Sequence, residues 1–232
     1  MAVPPALASR FLMLVPMADL VDCAQAHGWT RLPAAADALL ALADGMAKPP
    51  PLWYRARLAK AAVSACEASG DSPSDLCLDV IVQSLRAPPS DFCHVTFEGI
   101  ALRVLDPKHA GSVTGDASIG LRLWPAALVL QQYLKANWDA FDCGSVLEIG
   151  AGVGFVGLWC ASAGARTVLT DYNDSVLDNL ARNAADVPLA TVARFDWHAP
   201  DAGFVADARL VLMADCVLCV VVVCARRRRP HY

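Results

Sequence analysis

No stretch of this chain is apolar for long enough to cross a bilayer. The best candidate, Cys216 to Ala225, holds ten uninterrupted apolar residues, and a spanning helix needs roughly 20. Charge is scarce as well, at 18 % of residues, and the formal net charge is −4. Nothing in that balance offers a broad basic surface, and the only basic cluster is Arg226 to Arg229. Neither a membrane nor a nucleic acid is therefore an expected partner. Metal-ligand spacing is missing too, because Cys216-x-x-Cys219 with Cys224 lacks a second ligand pair. The nine cysteines are scattered without framework spacing, and no secretory signal precedes them. Reduced thiols in the cytoplasm are the expected state. Residues 1–18 contain no acid and only one base, Arg10. A transit peptide is a poor match to that pattern, and a helix of the N-terminal region is the plainer reading.

What the chain does have is apolar residues, 56 % of 232. That suits one large domain, or a domain with an appendage. Residues 1–90 read as helical. Phe11 to Ala26 carries apolar residues at mixed three and four spacings, interrupted by Pro16. Ala34 to Met46 is an alanine and leucine helix, with Pro33 near its start. Trp53 to Ala68 is a third helix, with Gly70 just past its end, and Ser74 to Leu85 a fourth, opened by a serine cap. No nucleophile–base pair lies here, so the expected role is an appendage for partner or substrate contact. Phe92 to Phe97 and Ile100 to Leu105 alternate on either side of Glu98-Gly99, which predicts a hairpin. His94 is expected as a sheet residue. Asp106 to Ala117 reads as a polar loop in which His109 is solvated.

The chemistry centres on Val146-Leu-Glu-Ile-Gly-Ala-Gly-Val-Gly-Phe-Val-Gly157. A short apolar run turns on closely spaced glycines and continues into an apolar helical pattern. Glycines belong in such a turn because a side chain blocks backbone approach to a ligand or bars a positive φ. A second apolar strand, Thr167 to Thr170, ends in Asp171, seventeen residues past Gly154. An acid at that strand tip can take two ribose hydroxyls. Two cofactor classes fit. Gly152-Val-Gly154-Phe-Val-Gly157 matches the dinucleotide fingerprint G-x-G-x-x-G. Glu148-Ile-Gly150-Ala-Gly152-Val-Gly154 instead places an acid before G-x-G-x-G, in the manner of S-adenosylmethionine loops, and the whole run through Asp171 favours the second. Upstream, Pro125 in the first turn of a helix through Leu134 is well placed, with Leu128, Leu130 and Leu134 facing a sheet. Trp124 just before it either fills the core or covers a flat ring.

Trp124-Pro-Ala, then Val146-Leu-Glu-x-Gly-x-Gly, then Thr170-Asp-Tyr-Asn-Asp174 and Asn179-Leu-x-x-Asn183 together resemble the seven-strand protein-lysine methyltransferases (family 16, the non-SET group). The resemblance runs over residues 92–218 and is densest from Trp124 to Asn183. The helical block starting Arg10-Phe-Leu-Met is more loosely similar to the elongation factor 2 lysine methyltransferase subgroup. The resemblance implies an α/β fold: a Rossmann-like class I methyltransferase sheet, with an N-terminal helical region and a β-hairpin. It implies S-adenosylmethionine as cofactor and a protein substrate, elongation factor 2 in that subgroup. It assigns the cofactor to Trp124, Glu148, Gly150, Ala151, Gly152, Asp171, Trp197 and Ala214, with Asp196 within reach of an adenine amino group. It makes Asp215 the first residue of an Asp-x-x-Tyr motif, hence the catalytic candidate. An independent argument supports Asp215: a carboxylate at the carboxyl end of a central strand sits where open α/β sheets bind ligands. There it can orient an incoming ammonium, while desolvation lowers the amine's pKa.

The pattern then departs from the family. Asp215-Cys-Val-Leu218 has no tyrosine, and Cys219 onward is an apolar and basic tail. The expected layout is a helical region over 1–90, a truncated methyltransferase domain over 91–218 with strands one to four only, and an unrelated tail over 219–232. Strand four is then expected to be an exposed apolar edge, giving a marginal fold or a dimer along that edge.

Overall fold

The computed structural model describes residues 2–88, 90–108, 116–141, 144–197, 199, 208–217 and 220–225, with side chains through Ala214 except that of Asp116. His109, Leu218 and the arginine cluster lie outside the described residues. Contacts divide the chain into two units, Met1–Ala101 and Leu102–Tyr232.

The first unit carries five helices: α1 (Pro5–Leu12), α2 (Met17–Ala26), α3 (Leu32–Asp44), α4 (Leu52–Ser69) and α5 (Asp75–Arg86). Prolines start three of them. Pro4, Pro16 and Pro51 occupy N-cap positions with φ of −58°, −51° and −59°. A proline there has its φ preset and lacks only an N–H that would find no partner within the helix. Pro16 therefore divides the stretch around Phe11 into two helices, with Leu14 turning the chain at φ 55°. Gly70 ends α4 at φ 74°, and the Ser74 hydroxyl accepts the Cys77 N–H to cap α5. The core joins Leu7, Phe11, Leu20, Leu39, Leu40, Tyr54 and Leu58. The Tyr54 hydroxyl donates to the Val15 carbonyl at 2.7 Å. Burial pushes its pKa up to about 12.

Strands β1 (Phe92–Phe97) and β2 (Ile100–Leu105) form the hairpin that the alternation predicts. Glu98 and Gly99 turn it with φ of 49° and 78°, the doubly positive turn that matches strand twist.

The second unit continues with α6 (Asp116–Gly120), α7 (Pro125–Asn137), β3 (Ser145–Ile149), α8 (Phe155–Ser162), β4 (Arg166–Asp171), α9 (Asp174–Ala184), β5 (Ala190–Arg194), β6 (Leu210–Val217) and β7 (Val220–Ala225). Two expectations need adjustment here. The segment read as loop through Ala117 is already helix at Asp116. On α7 the fully buried positions are Leu130, Gln131 and Leu134, whereas Leu128 is only half-buried.

The sheet order is β5-β4-β3-β6-β7. Strand β3 pairs in parallel with both β4 and β6, and β4 with β5. The chain thus runs outward from β3 to β5, returns, and places β6 on the other side of β3. That reversal opens a crevice at the carboxyl ends of the strands. The result is a doubly wound, Rossmann-like α/β sheet. It has five strands among the described residues, not four. Val220–Ala225 pairs antiparallel to β6, with Leu210 opposite Ala225 and Met213 opposite Val222. The predicted exposed edge at β6 is therefore corrected. The run of β-branched valines makes an extended strand, and β6 presents the unpaired backbone groups it needs.

Candidate functional site

The crevice at the reversal is a cavity of about 290 Å³, and every lining residue belongs to the second unit. Trp124, Glu148, Gly150, Ala151, Gly152, Asp171, Trp197 and Ala214 all line it. The structure thus brings together the eight residues singled out for a cofactor. Asp196 is not among the lining residues. Asp215 follows the lining Ala214 within β6, and its side chain lies outside the described atoms.

Glycine geometry shapes the floor. Gly150, Gly152 and Gly154 have φ of 66°, 55° and 87°. A Cβ on Gly152 would stand 2.9 Å from the Gly120 carbonyl oxygen. The segment leading to α7 therefore passes directly over the turn, and only glycine admits that approach. The turn is held from within. The Ala151 N–H donates to Thr170 O at 2.8 Å and the Gly154 N–H to Ala151 O at 2.8 Å.

Two carboxyl groups brace the turn. Glu148 is buried, and its Oε2 accepts the Gly157 N–H at 2.8 Å. That amide sits in the first turn of α8, where N–H groups have no helical acceptor. Burial pushes the Glu148 pKa up to about 8. The Gly157 N–H pulls it back, and Asp171 adds to the rise. Asp171, 7 % exposed, accepts three backbone N–H groups. Oδ2 takes Gly152 at 3.2 Å, and Oδ1 takes Tyr172 at 2.8 Å and Asn173 at 3.2 Å. It therefore points at the glycine turn. A carboxylate has about four acceptor sites, so at least one remains for a ligand hydroxyl.

At the rim, Trp124, Tyr172 and Trp197 are 39 %, 41 % and 42 % exposed. The Trp124 indole donates to Ile119 O at 2.9 Å, which fixes the ring at the mouth. Its place is thus the rim rather than the core.

A family described as "Lysine methyltransferase" matches residues 110–224. Residues 110–224 are thus similar in sequence to a lysine methyltransferase domain. Protein-lysine N-methyltransferase EEF2KMT of Mus musculus is 26 % identical over 171 residues, 66 % of this chain and 51 % of that protein. Protein-lysine N-methyltransferase EFM3 of Chaetomium thermophilum is 28 % identical over 58 % of this chain and 46 % of its own length. EEF1A lysine methyltransferase 3 of Mus musculus is 33 % identical over 47 % of each chain. The chain spans about half the length of these curated relatives.

The cavity is also lined by residues that the sequence did not single out. Gly120 lines the cavity, and a Cβ there would meet Val176 Cγ2 at 2.6 Å. Tyr172 and Asn173 line it as the immediate continuation of Asp171, a signal that was open to reading. Arg122 lines it as well, and the spacing from Trp124 alone did not place it there.

The Asn179 and Asn183 pair has a structural task. One turn apart on α9, both are buried. Asn183 Oδ1 accepts the Arg103 N–H at 2.7 Å, and its Nδ2 donates to Val153 O at 2.9 Å and Arg103 O at 3.2 Å. Asn179 Nδ2 donates to Arg103 O at 2.9 Å, and its Oδ1 accepts from the Arg103 guanidinium at 2.7 Å. Together they tie β2 and the glycine turn to α9. Asn183→Ala strands the Arg103 N–H and the Val153 carbonyl, and each orphaned buried group costs about 1–3 kcal/mol. The expected loss is about 2–6 kcal/mol in urea unfolding, and a loss below about 1 kcal/mol would contradict this account.

Proposed function

We propose that this domain binds S-adenosylmethionine and methylates a lysine side chain of a protein, with elongation factor 2 the first substrate to test. One observation supports the cofactor assignment above the rest: Asp171 turns onto Gly152, so an acceptor and a side-chain-free backbone face one cavity. The residues present fit the group. The glycine turn offers close backbone approach along a methionine portion. Asp171 offers an acceptor to a ribose diol, and Trp124, Tyr172 and Trp197 offer flat apolar faces to a purine.

A dinucleotide fits less well. In that class a pyrophosphate rests on the free amides of the helix start. Here the buried Glu148 carboxyl already takes the Gly157 amide.

Bound there, S-adenosylmethionine supplies a methyl group activated by a sulfonium. The protein's own contribution is to hold two reactants in line and exclude water. Asp215, beside the lining Ala214, is the group we assign to orient the incoming ammonium and to favour loss of its proton. The buried Cys23, Cys66, Cys77, Cys93 and Cys160 are thiols rather than disulfides, which suits a reducing cytoplasm. No helix among the described residues is long and apolar enough to cross a membrane.

A second reading has its own support: Leu218 replaces the motif's tyrosine, which suits a relative that binds cofactor without transferring its methyl group. Calorimetric titration with S-adenosylhomocysteine tests the shared step. Binding is expected in the wild-type chain and at least a tenfold weakening in Asp171→Ala. No heat from the wild type would end both readings. Methyl incorporation into elongation factor 2, lost in Asp215→Asn, separates the first from the second.

A further inference from the structure

Arg122 is the cation that lines the cavity, alongside two acids, among the described residues. Its Nε donates to Ser118 O at 3.2 Å. No ion pair engages its guanidinium among the described residues. The two terminal nitrogens therefore keep their donors. Arg122 lies two residues beyond Gly120, whose carbonyl oxygen stands 2.9 Å from where a Gly152 Cβ would be. It thus lines the cavity from the same segment that covers the turn.

Three amides of that turn are already committed. Ala151 donates to Thr170, Gly152 to Asp171 and Gly154 to Ala151. The nearby acids do not offer a counter-charge to an anion either. A ligand carboxylate arriving at this end needs a donor from elsewhere, and a guanidinium fork matches a carboxylate with two parallel hydrogen bonds.

We propose that Arg122 grips the α-carboxylate of the ligand's amino-acid end and so selects adenosine thioethers that keep that end. This rests on the S-adenosylmethionine reading above. In that geometry the adenosine end is governed by Asp171 and the rim aromatics, and the amino-acid end by Arg122.

The test is calorimetric titration of the full chain with two probes, S-adenosylhomocysteine and 5′-methylthioadenosine. The second keeps the nucleoside and the thioether and lacks the amino-acid end. Wild type, Arg122→Leu and Arg122→Lys are compared, with thermal melting of each chain as a check on folding. Arg122→Leu should weaken S-adenosylhomocysteine by about 10–100-fold, the worth of a lost charge-assisted hydrogen bond. It should leave 5′-methylthioadenosine within about twofold. Arg122→Lys should fall between, since it keeps the charge and loses the fork. Unchanged S-adenosylhomocysteine affinity in Arg122→Leu overturns the proposal while the cofactor reading stands. Equal weakening of both probes also overturns it, because the residue then only shapes the cavity. Failure of the wild type to bind S-adenosylhomocysteine overturns the cofactor reading itself.

Discussion

Gly154→Ala should lower the unfolding free energy of the domain by about 2–5 kcal/mol, with a matching fall in the urea midpoint. Two costs combine. Gly154 sits at φ 87°, where an L side chain costs roughly 1–2 kcal/mol. Its Cβ would also stand 2.3 Å from Leu180 Cδ1 and 3.1 Å from Leu169 Cδ2. Both leucines are fully buried and have little room to yield, so overpacking adds about 1–3 kcal/mol. Two further glycines separate the costs. Gly164 has φ of 99° with nothing within 4 Å of its Cβ position, so Gly164→Ala meets only the backbone cost. Gly157 lies inside α8, and its Cβ would meet Glu148 Oε2 at 2.5 Å and Leu169 Cδ2 at 2.8 Å. Gly157→Ala therefore meets only the clash. Both single-cost variants should be milder than Gly154→Ala. Equal midpoints for Gly154→Ala and Gly164→Ala would show that the leucines do yield.

Glu148→Gln should remove a pH dependence of stability that wild type displays between about pH 4.5 and 8. In the unfolded chain this carboxyl has its ordinary value of 4.5, and burial raises it to about 8 in the fold. Between those values the folded chain holds a proton that the unfolded chain has released. Stability therefore falls as pH rises through the window, by about 1.4 kcal/mol per pH unit from this group. Below pH 4.5 the full contribution is present, and above pH 8 it is gone and the slope from this group vanishes. A glutamine does not titrate and still offers an oxygen to the Gly157 N–H. Melting temperatures from pH 5 to 8 should thus diverge, with Glu148→Gln gaining on wild type as pH rises. Because the comparison is of slopes, a constant packing penalty in the variant does not affect it. Parallel curves would show that Glu148 is ionised throughout.

Much of the architecture was legible because it is locally determined. Pro51, Gly70 and Ser74 mark helix boundaries through their own backbone and side-chain chemistry, and the helices α4 and α5 begin or end beside them. Glu98-Gly99 turns the hairpin because both residues accept positive φ there. The glycine turn and Asp171 were legible for a related reason. A strand, a tight turn, a helix and a second strand leave few ways to place the second strand's tip, and pairing of Glu148 with Leu169 in parallel brings Asp171 to the turn.

Other features depend on segments far apart in the chain. Asn179 and Asn183 read as a family signature, yet their partner is the backbone of Arg103, nearly eighty residues upstream. The tail read as unrelated, yet Val220–Ala225 found the open backbone of β6. Within the cavity, the amino-acid sequence alone determined which stretches could turn, cap or extend, because those choices are settled within a few residues by φ preference and local hydrogen bonding. Only the tertiary structure decided that Gly120 crosses Gly152 and carries Arg122 to the cavity. That outcome depends on which helix start the sheet's reversal places over which turn, and no local preference encodes it.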